Sequence, residues 1–370
     1  MIHMGVVDLK TAFSPSRQRV LDTLAHRKPD AVPVDFGSTA VTGIHVSVVA
    51  ALRDYYGLER RPVKVVEPYQ MLGLVEEDLK AAMGIDVEGV MPRKTLFGFA
   101  NEGWKGWTFN GLDVLVPGEF NVTVDENGDT LIYPEGDLGA APSGRMPRGF
   151  HFFDTIVRQR HFNENALDAA DNLEEFKPVS EEDLDYFAGA VAAANQTGRA
   201  VIANFGGTAL GDIALVPAPF LKDPRGIRDI AEWYMTLASR REYVHSIYRA
   251  QTEIAVKNLE RIHGRIGNAV DAVFLCGTDF GTQASSFCSV ATFRELWLPY
   301  YKEICGWIHR NTTWKCFKHS CGSVARFYDS FAEAGFDIMN PVQCSAAGMD
   351  PELLKERWGR SEEHTSELQS

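Results

Sequence analysis

His319 and Cys321, in Lys318-His319-Ser320-Cys321-Gly322, carry nitrogen and sulfur donors two residues apart. Residues two apart on an extended segment point to the same side, so the imidazole and the thiolate would face one ion. That donor pair suits Zn²⁺, and three protein ligands with one open position is the catalytic form of such a site. Cys344, beyond the next expected strand, is the nearest further thiolate and the candidate third ligand. Cys316 has the opposite parity and would pack elsewhere. A neighbouring His and Cys can also simply pack, so their place in the fold must decide. Asp279 sits between glycines in Gly277-Thr278-Asp279-Phe280-Gly281-Thr282-Gln283. It would either orient a bound molecule together with Gln283 or cap its own loop. Asp35, Asn204, Asn340 and Gln343 are candidate substrate contacts, although Asp35 could also only cap a turn. Cys276, Cys288 and Cys305 read as plain buried thiols.

The elements that must hold these residues alternate. Ser16–Arg27 has helical spacing, and Ala31–Phe36 (AVPVDF) reads as a first strand. From Ser180 onward the pattern is regular. Strands are expected at Ala200–Phe205, Ala269–Cys276, Thr313–Lys318 and Phe336–Met339. Helices are expected at Ser180–Gln196, Pro224–Leu237, Glu242–His263, Thr292–Arg310, Val324–Ala334 and Pro351–Trp358. Strands alternating with helices make a parallel sheet, and every candidate above falls where a strand ends or in the loop after it. Barrels place their chemistry there. Open doubly wound sheets do the same, so this pattern leaves the two open. Residues 103–153 differ: glycine, proline and aromatics are frequent, and Asn127-Gly128 marks a hairpin by supplying positive φ angles. This stretch is expected to be a β-rich excursion rather than a separate domain. Its aromatics Trp104, Trp107, Phe109 and Phe120 would pack or wall a pocket.

Composition excludes several classes. With 37 Lys+Arg against 50 Asp+Glu the net charge is −13, which disfavours a general nucleic-acid binder. No apolar run of spanning length exists, and Met1–Phe13 lacks the pattern of a secretory signal. The six cysteines all lie in the last third and do not resemble a disulfide framework. A cytoplasmic chain with free thiols is expected. No glycine-rich phosphate loop of the dinucleotide or NTP kind is present.

The last eleven residues, RSEEHTSELQS from Arg360 to Ser370, read like the translation of a sequencing-adapter oligonucleotide. They are set aside as a non-native tail, although Ser361, Glu362 and Glu363 could also open a helix. The evolved part is expected to be one domain, residues 1–359.

Lys318–Ser323, then Ala334–Gln343 (AGFDIMNPVQ), then Gly348-Met349-Asp350 with Leu353-Leu354-Lys355 resemble the uroporphyrinogen decarboxylase superfamily. More narrowly they resemble its corrinoid-dependent methyltransferase branch. Arg19-Val20-Leu21, Pro29-Asp30 and Val32-Pro33-Val34 fit that superfamily's opening. The resemblance implies a (β/α)8 barrel with its site at the C-terminal ends of the strands. It also implies a zinc pair at His319 and Cys321, and a C-terminus lacking the last barrel strands. Decarboxylases carry an arginine-rich segment that grips porphyrin carboxylates. Here the comparable stretch, Phe36–Ile44, has no arginine.

The expected activity is therefore methyl transfer between a corrinoid, carried by a separate protein, and a small molecule or thiol. The corrinoid-binding signature D-x-H-x-x-G is absent from this chain. The alternative is a lyase acting on a tetrapyrrole polycarboxylate without metal. A third reading is a binding or metal-storage module without turnover.

Overall fold

The computed structural model describes residues 14–359 and the pair 367–368. The expected tail lies outside the described residues except for that pair, which forms a two-residue strand.

The fold is mixed α/β. Strands β1 (Val87–Val90), β2 (Ala200–Ala203), β3 (Ala272–Cys276), β4 (Lys315–His319) and β5 (Ile338–Asn340) lie side by side in chain order, all parallel. Glu367–Leu368 pairs on β5. Each strand buries both faces, as parallel sheets do. Val87, Ala200, Ile202, Ala272, Phe274, Phe317 and Ile338 point to one side, where Val20 and Leu24 of helix α1 (Pro15–Leu24) close over them. Val201, Ala203, Val273, Leu275, Cys316 and Met339 point to the other. That side carries helices α2 (Glu181–Gln196), α3 (Arg241–Ile266), α4 (Leu298–Asn311) and α5 (Tyr328–Ala334).

Among the described residues these ladders join six strands and do not by themselves close the expected eight-strand ring. The expected first strand at 31–36 is not a regular strand. Its sequence supplies the reason. Pro33 has no N–H to give, and the N–H of Val34 is taken by the Asp86 carboxylate at 3.0 Å. One backbone bond remains, from Asp86 N–H to Val34 O at 2.8 Å. The expected helix 292–310 is likewise two helices, Val290–Leu296 and α4, with Pro299 in the first turn of the second.

Residues 103–153 carry short β-strands, and the β-rich region begins earlier than expected. Val63–Glu67 joins Leu112–Val116 and Lys105–Phe109 in a five-stranded sheet, and a four-stranded antiparallel sheet follows. They share a separate apolar core that includes Phe97, Phe109, Phe120 and Phe153. Trp107 packs against Phe120 with ring centroids 5.0 Å apart and planes tilted by 57°, so Trp107, Phe109 and Phe120 are packing groups. In the Asn127-Gly128 hairpin only Gly128 has positive φ (83°). The Asp125 carboxylate ties the turn by accepting from Asn127 and Asp129 N–H, both at 2.9 Å.

Candidate metal centre

The cluster starts from neighbouring strand ends. β4 and β5 pair in register so that His319 lies beside Asn340. The His319 Nδ1–H donates to Asn340 Oδ1 at 2.7 Å. With Nδ1 committed, Nε2 carries the free lone pair. Nε2 stands 3.2 Å from Cys321 Sγ and 3.6 Å from Asp279 Oδ1. One donor atom from each of the three residues lies within 4.8 Å of the others.

Two glycines bring the loops this close. The loop after β3 carries Asp279 and the loop after β4 carries Cys321. They touch backbone to backbone at Gly281 and Gly322. A Cβ on Gly281 would stand 2.6 Å from the Ser323 nitrogen, and Gly322 has φ +87°, a conformation that favours glycine. The contact is stitched by Cys321 N–H to Asp279 Oδ1 at 2.6 Å and Phe280 N–H to Ser320 Oγ at 2.9 Å. Asp279 therefore braces the neighbouring loop rather than capping its own, and its oxygen stands in the three-residue cluster, a place not expected from the sequence.

Electrostatics favour a cation at this point. Burial lowers the His319 pKa and so favours the neutral imidazole, the form that ligates metals. Burial, then the Asp279 charge, pushes the Cys321 thiol up to about 11. A thiolate beside a carboxylate in a half-buried pocket needs a positive partner.

The other sequence candidates divide. Gln343 Oε1 accepts from Gly322 N–H at 2.7 Å, its Nε2 donates to Gln283 Oε1 at 2.9 Å, and Gln283 Nε2 donates to Ser345 O. Both glutamines therefore tie the exit loops together. Asn204 folds onto its own loop, accepting from Gly206 N–H at 3.0 Å. Cys344 is exposed, with Sγ 3.3 Å from Val342 O, and stands outside the three-residue cluster. Asp35 and Asn340 line a cavity of about 150 Å³ under α1, together with Thr23, Thr42, Ile202 and Ile338. Burial pushes Asp35 up to about 6, against hydrogen bonds from Ser38.

Two further groups were missed. Lys318 is fully buried, with Nζ 3.0 Å from Thr278 O, 3.1 Å from His319 O and 3.3 Å from Cys276 Sγ, over the ring of Phe280 at 4.8 Å. A lysine inside a strand with both faces covered was the available signal. Asp212 accepts from Ala214 N–H at 3.0 Å and lies against Gly277. Burial first, then the charge of Asp279, raises it to about 6. Nothing in its local sequence marks it.

No protein-family model matches the chain, and no curated protein matches it. Among solved structures it is similar to a methyltransferase from Methanosarcina mazei, at 12% identity and TM-score 0.42. That alignment covers 90% of this chain and 79% of the other. It is too distant to carry an argument about fold or activity. Among the described residues no helix is long and apolar enough to cross a membrane.

Proposed function

We propose that the chain is a zinc-dependent methyltransferase, built on a (β/α)8-type barrel. It would move a methyl group between a corrinoid held by a separate protein and a small molecule or thiol. One observation carries the reading: the Asn340 amide holds the His319 ring so that Nε2 shares a point with Cys321 Sγ and Asp279 Oδ1. Metal-binding histidines are typically fixed this way through their second nitrogen. Nitrogen, sulfur and oxygen donors from three residues fit a zinc site with one position left for substrate.

His319, Cys321 and Asp279 would hold the ion, with Asp279 supplying the third donor that Cys344, where it stands, does not. Zinc, when bound, supplies a Lewis acid that makes thiolate from a thiol at neutral pH or polarises a leaving heteroatom. The chain's own groups do the rest. Asn340 keeps His319 in one tautomer. Asp35 and Asn340 face the cavity and would position the substrate. Gln283 and Gln343 hold the loops at fixed separation. Asp212, raised to about 6, suits taking the substrate proton at neutral pH.

The cavity lining includes Asp35 and Asp271 and no arginine or lysine. A tetrapyrrole polycarboxylate would find no cationic partner among those residues, which weighs against the lyase reading. The test is metal analysis of the purified full chain, then methyl transfer from methylcobalamin to a small thiol, read by the corrinoid spectrum. Bound zinc and activity lost in His319→Ala are expected. Absence of zinc, or unchanged transfer in the variant, would overturn the reading.

A further inference from the structure

The opposite end of β4 carries a second set of metal-ligating groups. His309 on α4, Cys316 on β4 and Asp337 just before β5 each offer a donor atom within 4.8 Å of the others. A fourth group borders the set. Cys305 lies one turn before His309 on the same face of α4, outside the 4.8 Å group but beside the same glycine, Gly335, as the His309 ring. Both thiols are free and fully buried. Gly335 leaves room for them: a Cβ there would stand 2.9 Å from Cys305 Cβ and 3.5 Å from His309 Cε1.

We propose that Cys305, His309, Cys316 and Asp337 form a second, structural zinc site that pins α4 to the start of β4 and β5. Two sulfurs, one nitrogen and one oxygen make a closed tetrahedral set, the structural rather than the catalytic kind. Zinc–ligand bonds of roughly 2.0–2.3 Å place tetrahedral donors about 3.3–3.8 Å apart, so His309, Cys316 and Asp337, already within 4.8 Å of one another, need only small side-chain rotations, and the Cys305 thiol swings in to join them. The charges also close. Two thiolates and the Asp337 carboxylate sum to three negative charges, balanced by the ion and by Lys315, whose Nζ lies 3.2 Å from Asp337 Oδ1. The His309 Nε2 to Asp337 Oδ2 hydrogen bond, 2.8 Å, occupies the centre of the set. An entering ion replaces that shared proton. Cys316 N–H, donating to Asp337 Oδ2 at 2.7 Å, keeps the carboxylate oriented.

The test removes the first centre and asks whether a second remains. Full-length protein carrying His319→Ala and Cys321→Ser is stripped of metal and titrated with Co²⁺. About one equivalent is expected, with the intense visible bands of tetrahedral cobalt and thiolate charge-transfer absorption in the near ultraviolet. Adding His309→Gln, at a partly exposed ring, should weaken binding at least tenfold while the far-ultraviolet circular dichroism is unchanged. No thiolate–cobalt absorption in the first protein overturns the site, without touching its buried cysteines. Undiminished binding after His309→Gln overturns it as well.

Discussion

The two ends of β4 hold the same three residue types in different company. At the C-terminal end, His319 gives its second nitrogen to a neutral amide, and its lone pair faces Cys321 and Asp279. At the N-terminal end, His309 is bonded to Asp337, and the pair raises its pKa to about 10. The donors at the first end come from the last residue of β4 and two exit loops, with Asp279 and Cys321 only partly buried. Those at the second end come from a helix and strand starts, with both thiols and Asp337 buried. On the two readings proposed above, residue type alone does not set the use of a cluster; the partner of the spare histidine nitrogen and the burial of the thiols do. In α/β barrels the strand C-terminal ends carry chemistry and the N-terminal ends stability, and the two proposed roles follow that division.

The strongest break of this comparison is His319→Ala. It should lower methyl transfer by at least about 100-fold, since a transition-state contact of a few kcal/mol is lost, while leaving metal at the N-terminal end. Metal content and rate are measured on the same preparation. Equal loss of metal from both ends would mean that the two clusters are not independent.

Gly322→Ala comes next. A side chain there has φ +87° against it and meets the Gly281 backbone. A cost of about 2–4 kcal/mol is expected from strain and overpacking, read by denaturant unfolding. Separation of Asp279 from Cys321 should follow, with weaker metal binding at the C-terminal end only. Asn340→Ala is milder. It frees the ring of His319 without removing a donor. Zinc affinity at that end should fall about 10–100-fold, as loss of such supporting hydrogen bonds does. Competition with a chromophoric chelator measures it. An affinity within twofold of the parent would mean that the amide does not set the tautomer.

Much of the C-terminal end was legible from local pattern. His319 and Cys321 share parity on a strand and its exit, and a two-residue period shows that directly. The same parity sent Cys316 to the other face, where it lies. What it meets there was not legible. Cys305 and His309 reach it only because α4 docks on β4, and Asp337 sits at an element boundary that periodicity places poorly. The role of Asp279 needed the Gly281–Gly322 contact, a meeting of two loops 41 residues apart in sequence. The missing first strand was written in its own residues. Pro33 removes a ladder donor, and the apolar run around it outweighed that signal. Asp212 and Lys318 depend on long-range burial, for which the local sequence of Asp212 offers no sign.

The cavity aspartate, Asp35, and the aspartate of the N-terminal cluster, Asp337, also titrate in opposite directions, which allows a finer test. Asp337 is held below the usual carboxylate range by His309 and Lys315, against the opposing effect of its burial. Asp35 is pushed up to about 6, chiefly by burial. A carboxyl whose pKa rises on folding binds more protons in the native than in the unfolded state between roughly pH 4 and 6. Its stabilising contribution is present below that window and is lost as the pH rises through about 6. Asp35→Asn removes the ionisation while keeping an oxygen for Ser38. It should flatten the fall in stability across that window and raise stability at neutral pH by roughly 1–2 kcal/mol. Asp337→Asn should do the reverse, since a lowered carboxyl stabilises above its unfolded pKa and loses that contribution as pH falls. Unfolding free energies at pH 4 and 7, taken on metal-free protein, separate the two signs. A cavity aspartate kept at a cost to stability is the trade expected of a group retained for binding. An Asp35→Asn protein no more stable than its parent at pH 7 would remove that distinction between the two aspartates.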